Sequence, residues 1–534
     1  MVRSLIGVGV VCLALSLSGC KGDPNTPEYW SKQIDSAKRV KDRVRVVADL
    51  RQAPALNASF LPMVHQKLAS EKSPEVKAEL ARLLADQHDP SSVQPLIDAL
   101  ELGETDTAVK TMNKEIAHAL AEVGDPKAIP TLVKLMRSKD NYTKIEAINA
   151  LGKLEAKEAV EPLIALATDD NGEPFISKKA IQALGNIGDP RAVKPLVQMM
   201  FKERRGVSFY IESSFSLYQI GAPSVEALVP VMNGDDKELL AWTKEAGILE
   251  PAVYAKTAQV LADMHAHAKP AEKALIKQLG YTNGFAEQLL VRRYAALALG
   301  RMRSKAAVPV LAKMLDEPEA STRAEYITAL VRIGDSSAVP ALVKAAQQGS
   351  WDARKPAIEG IAMLGGEADI PAMEKLVKDE PTIHAAYCKT DPEYDLCKDV
   401  AASAKKQAEE IQTDLKRLVA AKECKKDIAC WVKKLDDPDP GVRERAAYEV
   451  GRGNDAKFTD VLVKRLSDKN LDTRYAAITA ADWLVTDNPE AFKTAKASLA
   501  QIQKQLEEEK GKTEFVKVNE DLKRLAVKLA HDKI

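Results

Sequence analysis

Four cysteines, Cys388, Cys397, Cys424 and Cys430, are the residues of this chain best placed to do chemistry. In an oxidising compartment an even count suggests disulfides, and four thiols allow three connectivities. Asp399 to Lys422 lies between the second and third. It puts Val400, Ala404, Ala408, Ile411, Leu415 and Leu418 on one helical face. At ~1.5 Å per residue that helix would hold Cys397 and Cys424 roughly 35–40 Å apart. A disulfide needs Cα atoms within about 7 Å. The crossed pairings demand similar long returns. The expected pairs are therefore the local ones, Cys388–Cys397 and Cys424–Cys430.

His265-Ala266-His267 is the other group that invites a chemical reading. Residues two apart on a helix do not face each other, and no cysteine or third histidine is near in sequence. It is read as a solvated helix end, and no metal site is assigned. There is no His-Glu-x-x-His and no Gly-x-Ser-x-Gly. Gly511-Lys512-Thr513 ends like a phosphate-binding loop, but Leu506 stands where that loop's first glycine belongs. No catalytic residue and no cofactor is assigned, and the chain is read as a non-enzyme.

The N-terminus sets the compartment. Arg3 precedes an apolar run, Leu5 to Leu17, too short to span a bilayer comfortably. Small residues come next, as before a signal-peptidase cut. Leu17-Ser18-Gly19-Cys20 resembles the bacterial lipobox at all four positions. The resemblance implies cleavage after residue 19 and lipidation of Cys20. Lys21 at the next position favours the outer membrane, facing the periplasm. Residues 20–27 would be a tether.

A recurring stretch positions everything else: Gly188-Asp-Pro-Arg-Ala-Val-Lys-Pro-Leu-Val, with close copies at Gly124 and Gly334. The glycine ends a helix in the left-handed conformation, and the aspartate caps the turn after it. Pro190 to Val193 reads as a tight turn, with Pro195 in the first turn of a second helix. That inner proline recurs at 62, 95, 130, 162, 195 and 230, then at 309, 340 and 371, in steps of 31–35 residues. Such a period means stacked helix pairs sharing one continuous core. The stretch resembles the HEAT-like repeat in its short, phycobilisome-lyase-type form, over roughly residues 30 to 485. The family's aspartate and arginine, six residues apart, stand at Asp437 and Arg443 and again at Asp468 and Arg474. The resemblance implies an inter-repeat ladder for them.

The fold expected is all-α, an α-solenoid with a C-terminal helical hairpin. Repeats fill 28–378, with an irregular segment at 234–290. A cysteine-containing helical insertion at 379–430 precedes two further repeats at 431–485. A hairpin at 486–534 caps the stack or offers a short coiled coil. Lysine plus arginine and aspartate plus glutamate both number 77, which speaks against nucleic acid as a partner. The function expected is a lipid-anchored envelope scaffold that binds a protein or peptide on the concave face. In stacked pairs the second helices line that face. Lys313, Lys344 and Lys375 stand 31 apart on three second helices, a row that would take an acidic segment of the partner. Repeat duplication on a solvated face gives the same register. The alternative is a small-ligand or metal sensor built on 234–290.

The anchor is testable at once. Cys20→Ser should release the protein from membranes or leave the precursor uncleaved, since stable anchoring takes more than one acyl chain. Membrane fractionation identical to wild type would refute it.

Overall fold

A computed structural model describes residues 22–103, 106–284, 286–316 and 320–530. Cys20 and the rest of the N-terminal segment lie outside the described residues. No described helix is long and apolar enough to cross a membrane. The described residues form thirty α-helices and one two-stranded ribbon, Glu203–Arg204 against Val207–Ser208, so the fold is an all-α solenoid.

The local chemistry of the repeat is as read. Gly124, Gly188 and Gly334 all sit at positive φ (77°, 69° and 78°). Asp125, Asp189 and Asp335 each accept a hydrogen bond from the amide two residues on, at 2.8, 3.0 and 2.9 Å. A 3-10 turn comes next in each copy, Pro190–Ala192 in the second. The helix after it there, Val193–Met199, carries Pro195 in its first turn, where no intrahelical amide is lost. In these three copies a long first helix is followed by a short second one.

The chain divides into two compact units, residues 1–166 with 175–183, and 167–174 with 184–534. In the first, the long helices Pro74–Gln87, Thr107–Val123 and Asn141–Lys153 pack side by side. Leu80, Leu84, Ile116, Leu120, Ile148 and Leu151 are wholly buried between them and their short partners. Arg43 of one repeat reaches Glu71 of the next at 2.9 Å.

In the second unit the long helices Gln288–Arg301, Ala320–Ile333 and Trp351–Leu364 continue the stack. The helix after them, Ile370–Thr390, does not stop at residue 378. It runs through Pro381 and pairs with the long helix Val400–Cys424. That helix packs in turn on Trp351–Leu364 and on Pro440–Arg452, so it takes the place of a first helix. The expected insertion at 379–430 is thus an enlarged repeat, continuous with the stack. A fully buried ion pair holds it there: Arg354 donates to both Glu380 oxygens, at 2.6 and 2.7 Å.

The ladder arginines bridge repeats as the resemblance implied. Arg443 binds Asp468 of the next repeat at 3.1 Å and its own Asp437 carbonyl at 3.0 Å. Arg474 turns instead to Glu509, at 2.5 Å.

The C-terminal helices depart most from expectation. Leu499–Glu508 and Val516–Ala530 do pair. The second also lies along Leu471–Asp487, a helix buried on every side from Ala476 to Val485. From there it meets residues far earlier in the chain. The Tyr218 hydroxyl donates to the Arg524 carbonyl at 3.1 Å. Arg301 binds Asp263 at 2.7 Å and Asp521 at 3.1 Å, and Arg524 binds the same two carboxylates at 3.0 and 2.9 Å. Lys528, 2% exposed, donates to Asp482 at 2.7 Å and to Thr486 at 2.6 Å. Gly451 makes the neighbouring contact possible, because a Cβ there would stand 2.8 Å from the Ala480 Cα. The second unit therefore folds back on itself, and its last helix serves as an internal strut.

Burial by itself would raise the Asp482 carboxyl, but the charges of His265 and Lys528 outweigh it and hold the group well below the usual carboxylate range. A depressed folded-state value means stability that is present above the unfolded value near 3.8 and is lost on acidification. Asp482→Asn should therefore lower the unfolding free energy at pH 7 by about 3–5 kcal/mol, as for a broken buried pair, bring the urea midpoint down with it, and flatten the acid limb below about pH 4. An unchanged midpoint and acid limb would show that the network contributes nothing.

Candidate functional site

Between the long helices of the second unit lies a cavity of about 500 Å³. Ile327, Thr328, Val331 and Arg332 line it from Ala320–Ile333, and Pro356, Glu359 and Gly360 from Trp351–Leu364. Arg417 enters from Val400–Cys424, Glu444 and Tyr448 from Pro440–Arg452, and Asp472 and Tyr475 from Leu471–Asp487. Glu514 and Val518 close it from the C-terminal segment. Asp472 and Glu514 are exposed and mark the mouth; Tyr448 is buried.

Arginines hold these walls in place. Arg452 donates to the Val331 carbonyl at 2.6 Å, at the C-terminal end of Ala320–Ile333. Arg445 donates to the Ala362 and Gly365 carbonyls, both at 2.6 Å, at the end of Trp351–Leu364. Helix ends leave such carbonyls without partners, and a cation there is favoured by the dipole. Gly334 must lack a side chain for this, since a Cβ would collide with the Arg452 guanidinium. Arg332 donates to the Tyr475 hydroxyl at 2.6 Å and lies over its ring.

The cavity has more carboxylates than cations. Arg417 is shared between Asp414 and Glu444, each at 3.3 Å. Burial, and after it Asp472, Glu359 and Asp414, push the Glu444 carboxyl up to about 7 against the pull of Arg417. Glu359 is raised by burial and then by Asp414, and Asp414 itself is raised by burial. Among the described residues Glu359 has no ion-pair partner. Such a site can take a cationic group, or hold a proton near neutral pH.

A second cleft, of about 730 Å³, runs between Ile370–Thr390 and Val400–Cys424. Its walls are mostly apolar, Val377, Pro381, Val400, Ala401, Ala404 and Ala408, with Lys405, Glu409 and Gln412 beside them.

The residues singled out in the sequence fall elsewhere. Cys388–Cys397 and Cys424–Cys430 are disulfide-bonded, with Cα atoms 5.4 and 5.2 Å apart. Lys313, Lys344 and Lys375 are exposed on their second helices. Lys344 is paired with Asp316 at 2.8 Å and Lys375 with Asp379 at 3.7 Å. None of the three lines the cavity. The surfaces brought together in this unit belong to the long first helices, not to the second helices expected to line an inner face. The long helices present the C-terminal carbonyls that need partners.

Segment 234–290 forms the helices Lys237–Glu245, Glu250–Asp263 and Glu272–Leu279. His265 is not a solvated helix end. Its Nδ1 lies 2.5 Å from Asp482 Oδ2, beside Arg301, Asp521 and Arg524. The space left among them is about 10 Å³, room for one water at most. Burial and then Lys528 lower the pKa of His267. His265 serves the strut, while His267 stays exposed.

The sequence reading missed Asp482 and Lys528, yet both carried a signal. Each is a lone charge within an apolar face, Ala480-Ala481-Asp482-Trp483 and Leu525-Ala526-Val527-Lys528-Leu529. A charge so placed needs a buried partner.

Comparison with known proteins agrees with this architecture. The profile of HEAT repeats matches residues 61–143, 130–207, 314–386 and 428–505, more than half the chain. That of the PBS lyase HEAT-like repeat matches 291–317. Comparison with curated proteins finds no match. Solved structures with a similar fold include an engineered protein, at 23% identity over 66% of this chain and 98% of that one, with a TM-score of 0.28. Human deoxyhypusine hydroxylase is 20% identical over 57% of this chain and 95% of its own, with a TM-score of 0.22. The karyopherin Kap121p, bound to the extreme C-terminus of the protein phosphatase Cdc14p, is 11% identical over 94% and 75%, with a TM-score of 0.38. These likenesses concern the fold alone. With its capped turns, its inter-repeat arginine ladder and a profile match over most of its repeats, the chain belongs to the HEAT-repeat family.

Proposed function

We propose that this protein is a non-catalytic scaffold of the cell envelope, tethered through Cys20, that captures a protein partner by taking one of its basic side chains into the acidic cavity. One observation carries the reading: Glu359, Glu444 and Asp472 face a cavity where Arg417 is already shared with Asp414. A lysine or arginine from outside would supply a further counter-charge and relieve the cost of partly burying Glu359 and Glu444. Tyr448 and Tyr475 line the same cavity, each already beneath an arginine of this chain, Arg452 and Arg332. The cavity is walled by five helices and the C-terminal segment, which favours a fixed shape over an adaptable loop surface. The row Lys313, Lys344 and Lys375 is a second surface in this reading. Two of its three ammonium groups already have carboxylate neighbours, so its proposed part is a weak contact with an acidic stretch of the partner.

The test is a photo-cross-linker placed at Asp472, at the cavity mouth, in cells expressing the full chain. It should capture one partner, through a segment bearing lysine or arginine. The double variant Glu359→Gln with Glu444→Gln should weaken capture about tenfold, or roughly 1.4 kcal/mol, close to the lower bound for hydrogen bonds to charged groups. Capture should also tighten as pH rises from 6 to 8. Glu444 is protonated below its value of about 7 and cannot then offer a charge, whereas above it the carboxylate is formed. Without a ligand the same shift has the opposite effect on stability. A raised carboxyl favours the folded state below its unfolded value near 4.5, and that contribution is lost as pH climbs through 7. Equal capture by the double variant at pH 8 would overturn the reading.

A further inference from the structure

One group of potential metal ligands converges among the described residues: His384, Cys388 and Cys397, whose ligand atoms all lie within 4.8 Å of one another. It sits where Ile370–Thr390 turns toward Val400–Cys424, and no wall of the acidic cavity contributes to it. His384 and Cys388 are one helical turn apart and so share a face. The turn brings Cys397 over them. In the oxidised protein the two sulfurs are bonded to each other.

The geometry suits a second state. His384 Nε2 lies 3.6 Å from the Cys388 sulfur. With metal–nitrogen bonds of about 2.0–2.1 Å and metal–sulfur bonds of about 2.3 Å, a tetrahedral ion places nitrogen and sulfur roughly 3.5 Å apart and two sulfurs about 3.8 Å apart. Nitrogen and sulfur already stand at ligand spacing, and only the two sulfurs must separate. His384 is fully buried, its Nε2 donates to the Leu396 carbonyl at 3.1 Å, and its Nδ1 has no partner. Metal binding at Nε2 would exchange the hydrogen bond to Leu396 for a bond to the ion.

The other disulfide is built differently. Cys424 is 1% exposed, belongs to the hydrophobic core with Trp431, and is not part of any converging ligand group. Cys388 and Cys397 are both partly exposed, so a dithiol can reach them.

We propose that His384, Cys388 and Cys397 form a redox-gated zinc site: a disulfide when oxidised, and a three-ligand site for a divalent zinc-class cation when reduced by a dithiol. A thiolate of the dithiol attacks one sulfur of the pair, and the mixed disulfide is resolved by its second thiol. The Cys388–Cys397 bond gains two electrons and two protons, and the dithiol becomes a disulfide. The ion then displaces both thiol protons to solvent. It binds Nε2 of the histidine, whose ring proton moves to Nδ1. The fourth position stays open to water. The turn is thus tied in either state.

Cobalt(II) is a direct probe, since its thiolate charge-transfer and tetrahedral ligand-field bands report the ligand set. The full chain, reduced with a phosphine and freed of metal, should bind one cobalt(II) with these bands, and one equivalent of zinc should bleach them. The oxidised chain should show none. Cys388→Ser should abolish the bands, and His384→Ala should weaken binding at least about tenfold, with helicity unchanged by circular dichroism. Cys424→Ser with Cys430→Ser should keep the bands. A reduced chain with Cys388 and Cys397 shown free by alkylation mass spectrometry, but without thiolate bands, would overturn the proposal. So would bands that survive Cys388→Ser. Should either serine variant fail to fold, the alkylation pattern with and without zinc decides. Protection of Cys388 and Cys397 together supports the site, and equal labelling refutes it.

Discussion

Carbonyls left over at helix ends are the constraint on which the second unit depends. A stack of helix pairs multiplies them, since every long helix leaves its last four without an intrahelical partner. In the repeats the turn glycine returns its own amide to one such carbonyl, as Gly124 does to Leu120 and Gly188 to Leu184. In the helices ending at Ile333 and Leu364 it is settled by arginines from about a hundred residues further on, Arg452 and Arg445. Those bonds oblige the later repeats to face the earlier ones. The strut of Val516–Ala530 and the cavity both result from that obligation.

Closing a solenoid in this way buries charge, and the unit meets the cost in two ways. The Arg354–Glu380 pair is matched one to one, with both oxygens bound and both side chains wholly buried. The strut is also matched, though as a cluster: Arg301 and Arg524 against Asp263 and Asp521, His265 and Lys528 against Asp482. Removing one partner from such a set leaves a buried charge alone, which is why these groups rigidify what they join.

The repeats were legible because their signal is local. Gly188, Asp189 and Pro195 each act within a few residues of themselves, and a period of 31–35 residues leaves little doubt about stacking. The two disulfides were legible for the same reason, as the intervening helix forbade other pairings. What the pattern could not give was which repeats would meet across the fold. Arg445 and Arg452 look like ordinary helical arginines until Ala362 and Val331 are found opposite them. The row of lysines illustrates the converse. Its register is real, but register places groups on a helix face without saying what else that face meets, and Asp316 and Asp379 were not visible as partners. Glu359 and Glu444 carried no signal, because carboxylates on long helices are commonplace and only the return of the chain encloses these.

The contrast between matched and mismatched buried charge is the strongest argument for where function lies. A fold under selection for stability alone has no reason to leave Glu359 without an ion-pair partner among the described residues, or to divide Arg417 between Asp414 and Glu444. Burial then holds three carboxyls above their ordinary range in one place, against the interest of the folded state at neutral pH. The same unit shows, at Arg354 and Glu380, that it can match an acid with a base when only packing is at stake. Local rules tend to be broken where a site needs them broken. The overall charge balance hides this asymmetry, since 77 positive and 77 negative residues can cancel while the inner space of one unit stays acidic. The place where matching fails is also a cavity of about 500 Å³, whose exposed mouth at Asp472 and Glu514 leaves a way in from outside.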